Sequence, residues 1–107
     1  MTHTSIDARA ALARLREGNA RFASGTTRHP NSDEDRRLDL SSGQAPFAAI
    51  LACADSRVPP EIVFDCGLGD LFVVRSAGQM VENAVLASLE FAVHKLAVPL
   101  ILVLGHD

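Results

Sequence analysis

Three short runs constrain this chain more than anything else in it. Phe47 to Ala52, Leu71 to Val74 and Leu100 to Leu104 are of strand length and carry no polar residue. A strand with one wet face alternates apolar and polar side chains, whereas a strand without polar positions is covered on both faces. The segments between the runs have helical character. Pro59-Pro60-Glu61 reads as a helix start with proline in the first turn, and that helix ends by Gly67. Val81 to Ala97 is the longest helical stretch. Val85, Leu89, Ala92, Val93 and Leu96 can form its buried stripe, and Pro99 breaks it. Strand–helix–strand–helix–strand with buried strands predicts an α/β fold, a parallel β-sheet flanked by helices.

The first 46 residues add two helices and no strand. Thr4-Ser5-Ile6-Asp7 reads as a capping box. Leu12, Leu15 and Phe22 fall on one face of the helix that follows, supported by Ala8 and Ala11. Gly18 weakens its middle and Gly25 ends it. Residues 26–32 read as a loop, and Ser32-Asp33-Glu34-Asp35 begins a short polar helix that Gly43 stops. These helices have no strand of their own to cover, so they are expected to pack across a neighbouring surface such as a partner subunit. The organisation expected is one domain over 1–107, with a helical arm over 1–46 and a βαβαβ core over 47–107.

Composition excludes several classes. Residues 1–46 carry seven arginines against six acids, and residues 47–107 carry three bases against seven acids. Neither half is the basic surface that nucleic acid needs. No apolar run approaches the roughly 20 residues of a membrane span, and the N-terminus shows no apolar signal core. A cytoplasmic protein is expected. The two cysteines are then thiols or metal ligands before they are a disulfide. Trp and Tyr are absent, so no aromatic platform for sugars or bases is visible.

The chemistry-bearing residues fall at strand ends. Cys53-Ala-Asp-Ser-Arg57 directly follows the first run, and Gly105-His106 directly follows the third. Sites in open parallel sheets form beyond the carboxyl ends of the strands. Adjacent parallel strands would bring Cys53 and His106 together there, as a thiolate and an imidazole suited to zinc. Each residue also has an ordinary structural reading. A cysteine at a strand end is commonly a small buried hydrophobe. Asp55 and Arg57 can be a loop ion pair of little energetic weight.

Several ordered motifs resemble the β-class carbonic anhydrases. They are Cys53-Ala-Asp-Ser-Arg57, Val58-Pro-Pro-Glu-Ile62, Gly67-Leu-Gly-Asp-Leu-Phe-Val-Val-Arg75 and Leu104-Gly105-His106, with Leu15-Arg-Glu-Gly-Asn-Ala-Arg-Phe22 similar to the family's first helix. The match runs from about residue 8 to the last residue and covers roughly the first half of a family member. The fold implied is therefore β-carbonic-anhydrase-like and incomplete at the C-terminus. A family member's strand corresponding to Leu100–Leu104 is central in its sheet, and here it is expected to lie near an uncovered face.

The resemblance implies the rest residue by residue. Cys53 and His106 are zinc ligands. The second cysteine of the family's His-x-x-Cys motif would fall at position 109, beyond Asp107, so a gene fragment or a premature stop is the favoured explanation of the chain. Asp55 is either the fourth ligand or, paired to Arg57, leaves that place open. Gln44, Val58, Phe72 and Ala77 contact or line the substrate site, with Gln44 reaching it across a dimer interface, and Ser56 orients the turn. Cys66 is expected to be an ordinary thiol, and His3, His29 and His94 have no motif context. The implied activity is zinc-dependent reversible hydration of carbon dioxide to bicarbonate and a proton, in a homodimer or higher homo-oligomer. Two alternatives share the motifs: a carbon disulfide or carbonyl sulfide hydrolase of the same fold, and a catalytically dead dimerisation module.

Overall fold

The computed structural model describes residues 6–107. The elements in chain order are α1 (Ala8–Ser24), α2 (Glu34–Asp39), a 3₁₀ turn (Leu40–Ser42), β1 (Ala48–Cys53), α3 (Pro60–Val63), β2 (Leu71–Ser76), α4 (Asn83–His94) and β3 (Ile101–Leu104). The three strands form one parallel sheet in the order β2-β1-β3. The chain moves from β1 to β2 in one direction and then crosses back over β1 to reach β3. Right-handed crossovers in opposite directions place their helices on opposite faces of the sheet. Accordingly, the end of α3 packs on one face and α4 on the other.

β1 is the middle strand, and its first five residues are no more than 1% exposed. Ala48, Ile50 and Ala52 face Ala11 and Leu15 of α1 together with Val63 and Phe64. Ala49 and Leu51 face Val85, Leu89 and Ala92 of α4, with Val98. Three alanines in this strand let helices approach closely from both sides. The apolar run of the sequence is thus the centre of a helix–sheet–helix sandwich.

The first helix is part of this core, contrary to the expectation that both N-terminal helices await a neighbouring surface. Ala11 and Leu15 are buried against the chain's own sheet. Gly18 shows why the fit is close: a Cβ there would lie 1.7 Å from the Phe64 carbonyl oxygen. The glycine that weakens the helix in isolation is what lets it reach α3. Phe22, expected on the buried face, is 40% exposed. At the start, Asp7 is the cap and accepts from the Ala10 amide, while Thr4, Ser5 and His3 lie outside the described residues. Gly25 ends the helix in the left-handed conformation, as its sequence position predicts.

The polar helix α2 buries none of its residues. It is tied down through Arg36, which donates to the Leu68 carbonyl and to Asp70. Two buried carboxylates fasten the loops below. Asp65 takes the Arg21 guanidinium at 2.6 Å and the amides of Arg28 and His29. Burial raises its pKa, but these donors outweigh burial and bring it down to about 2. Asp70 accepts from the Asn31 amide group and from the Gly67 N–H.

β3 is an edge strand among the described residues, not a central one. The uncovered face expected of it is present: Ile101 is 41% and Val103 60% exposed. α4 is shorter than its apolar pattern, since Ala97 turns to positive φ after the helix ends. Val93 of the expected stripe is exposed within the helix, and Val98, beyond it, is part of the core. Among the described residues no helix is long and apolar enough to cross a membrane.

Candidate functional site

Cys53 is the last residue of the middle strand, and its register partner in β2 is Ser76. Its Sγ accepts two backbone amides, from Asp55 and Gly78, each at 3.4 Å. Gly78 has φ of +80°, a left-handed conformation that glycine adopts without strain, and this turns its N–H toward the sulfur. His106 follows β3 on the other side of β1 and stands beside the same thiol. The neighbouring imidazole, and then the Gly78 and Asp55 amides, lower the Cys53 pKa to about 7. The thiolate in turn raises the pKa of His106, whose Nδ1 lies 3.0 Å from the Asp107 carbonyl oxygen.

Asp55 is turned toward Arg57. Its Oδ1 accepts from the Arg57 backbone N–H at 2.8 Å and from Nε at 2.9 Å, and its Oδ2 accepts from Nη2 at 2.7 Å. The first bond closes an Asx turn, and the other two make a fork-to-fork carboxylate–guanidinium pair. The guanidinium holds the Asp55 carboxyl far below the usual range, and the carboxylate raises the pKa of Arg57. The Arg57 side chain is 77% exposed, so the pair sits at the solvent boundary.

The structure therefore brings Cys53, Asp55, Arg57 and His106 to one carboxyl edge of the sheet. Ala77 joins them on the turn that carries Gly78, and Ser56 is exposed in the Cys53–Arg57 turn. Val58 is half-buried and packs back on the core. Two expected pocket residues are elsewhere in this chain. Phe72 pairs in register with Ala49 near the start of β1 and stacks at 5.9 Å against Phe91 of α4. Gln44 precedes β1, in a groove with Leu40, Ser41 and Leu68. Strand length alone puts both more than about 10 Å from Cys53. Cys66 is remote from the site, and burial pushes its thiol up to about 11, which suits an inert residue.

Two participants escaped the sequence reading. Arg75 donates to the carbonyls of Cys53 and Asp55, and Gly78 caps the sulfur. A lone arginine closing the apolar run Leu71–Val74 was the available signal for the first. A glycine two residues past a strand end was the signal for the second.

A zinc ion suits this donor set as far as the set goes. A thiol of near-neutral pKa beside an imidazole supplies one sulfur and one nitrogen of the kind that zinc takes. Asp55 adds an oxygen only by leaving Arg57. As it stands, no group of three or more His, Cys, Asp or Glu side chains that could hold a metal converges among the described residues.

Comparison with known proteins gives these observations a family. The carbonic anhydrase family profile matches residues 48–107. The chain is 57% identical over 98 residues to carbonic anhydrase 2 of Mycobacterium tuberculosis, covering 92% of this chain and 47% of that protein. It is 55% identical to the carbonic anhydrase of Mycolicibacterium smegmatis, covering 92% and 48%. The chain thus spans about half the length of the curated relatives it matches. Among solved structures, the β-carbonic anhydrase of Aspergillus fumigatus superposes with a TM-score of 0.66 at 29% identity, over 92% of this chain and 46% of that one. A tetrameric β-carbonic anhydrase of Sordaria macrospora gives 0.64 at 28% identity, over 92% and 48%. A parallel sheet with a cysteine and a histidine meeting at its carboxyl edge, together with these matches, shows that the chain belongs to the β-class carbonic anhydrase family.

Proposed function

We propose that this chain contributes Cys53 and His106 to the zinc site of an enzyme that reversibly hydrates carbon dioxide to bicarbonate and a proton. The observation that carries the reading is the convergence of Cys53 and His106 on one sheet edge, within a chain of this family. Cys53 and His106 would hold the ion. Zinc, when bound, supplies a Lewis acid that makes water nucleophilic near neutral pH.

The chain's own residues prepare that site. The Gly78 and Asp55 amides stabilise the Cys53 thiolate before any metal arrives. Arg57 holds the Asp55 carboxylate away from Cys53 and His106, which would leave a place for water on an ion bound there. Release of Asp55 toward the metal would close that position, so the Asp55–Arg57 pair acts as the gate. Val58 and Ala77 supply apolar surface beside the turn for a carbon dioxide molecule.

Gln44 and Phe72 lie too far from Cys53 in their own chain to touch the same substrate. Their part in catalysis would be played in a neighbouring subunit's site, in a homodimer or higher homo-oligomer. The tetrameric relative supports such an assembly. A cytoplasmic location fits this reading.

Zinc content and carbon dioxide hydration by the complete gene product test the proposal. About one zinc per chain and measurable hydration are expected, with hydration lost in His106→Ala. Full hydration by a zinc-free protein would refute the assignment.

A further inference from the structure

Two arginines divide Asp55 between them. Arg57 takes its carboxylate. Arg75 takes its main-chain carbonyl at 2.7 Å through Nη2, and the Cys53 carbonyl at 2.9 Å through Nε. Among the described residues Arg75 makes no ion pair. A guanidinium is a rigid planar fork, so two acceptors held by one fork are fixed relative to each other. Here the acceptors are the carbonyls on either side of Ala54.

The rest of the strand end reinforces the grip. The ladder between β1 and β2 closes at Cys53 and Ser76. Beyond it, Ala54 N–H donates to the Ser76 carbonyl at 2.7 Å, and Gly78 N–H donates to the Cys53 sulfur. The Asp55 carbonyl also accepts from the Val58 N–H at 3.2 Å. The segment Arg75–Gly78 therefore touches the Cys53–Asp55 turn at four points, and Arg75 supplies two of them. An exposed arginine at the end of a strand has no packing reason to adopt this pose.

We propose that Arg75 is a positioning residue: it clamps the backbone of the Cys53–Asp55 turn, so that the Cys53 sulfur keeps its direction toward the metal while the Asp55 carboxylate is free to leave Arg57. This rests on the zinc reading above. The clamp acts on the main chain, so it holds whichever partner the carboxylate takes. Residues that orient metal ligands from behind typically change metal affinity about 10- to 100-fold when replaced.

Cobalt(II) is the probe, added to the metal-free complete gene product with Arg75 as wild type, Gln or Lys. The wild type is expected to bind cobalt with a thiolate-to-cobalt charge-transfer band that Cys53→Ser weakens or removes. Arg75→Gln should lose about 10-fold or more in cobalt affinity and shift or weaken that band. Arg75→Lys keeps a donor for one carbonyl and should fall between the two. A fold-only role would lower the unfolding midpoint and leave the band of the folded protein unchanged. Native affinity and a native band in Arg75→Gln overturn the clamp and leave the zinc reading standing. If Arg75→Gln does not fold, Arg75→Lys decides by the same criterion. A wild type that takes up no cobalt through Cys53 overturns the zinc reading, and the clamp with it.

Discussion

The two sides of the middle strand's neighbourhood are built differently. On the face toward α1, Ala48, Ile50 and Ala52 of β1 meet the buried Ala11 and Leu15, the latter at 1% exposure. Toward β3, Ile101 and Val103 are open to solvent, and His106 is exposed beyond them. Of the two paired residues, Cys53 stands on the well-packed side and His106 on the open one. The sulfur donor is therefore held by the core of the chain, whereas the nitrogen donor is held by one strand pairing, Ala49–Ala52 with Ile101–Leu104.

Substitutions can break that contrast. Leu15→Ala should cost about 2–5 kcal/mol, because the cavity it leaves between α1 and the sheet cannot collapse onto a six-residue strand already flanked by alanines. Equilibrium denaturation measures this, and a loss below about 1 kcal/mol would mean that α1 is not part of the core.

A second effect is pH-dependent and belongs to the same covered side. Asp65 is lowered in the fold to about 2, from an unfolded value near 3.9. A depressed carboxylate contributes stability that is fully present above the unfolded pKa and lost as pH falls through the folded one. Unfolding midpoints should therefore drop between about pH 4 and pH 2 in the wild type. In Asp65→Asn they should be lower at neutral pH and flatter across that window. Parallel curves for the two proteins would remove Asp65 from the account.

The smallest effect belongs to the open side. Val103→Thr should change stability by no more than about 0.5 kcal/mol, since that side chain is mostly in water and has no cavity to leave. A loss comparable to that of Leu15→Ala would show that the face of β3 is covered in the protein under assay, and the contrast would then be a property of the isolated chain alone.

Much of this was legible in the sequence. Three apolar runs located all three strands to within two residues at each end, and strand-end logic paired Cys53 with His106 before any geometry. What stayed hidden depends on distances between elements. Gly18 reads as a weak helix position and Ala11 only as support for the apolar face, yet their smallness is what lets α1 lie on the sheet against Ala48 and the Phe64 carbonyl. Phe72 looks equivalent to Val74 along the chain, and only the register with Ala49 sends it to the far end of the sheet. Arg75 hid for a third reason. Its partners are main-chain carbonyls, which every residue has, so no residue type announced them.

The most direct test of the central claim is zinc K-edge X-ray absorption of the complete gene product and its Cys53→Ser variant. The account predicts a zinc–sulfur shell at about 2.3 Å and a nitrogen shell at about 2.0 Å in the wild type, with sulfur scattering reduced by one ligand, or zinc lost altogether, in the variant. An unchanged sulfur shell around fully retained zinc in Cys53→Ser would contradict it.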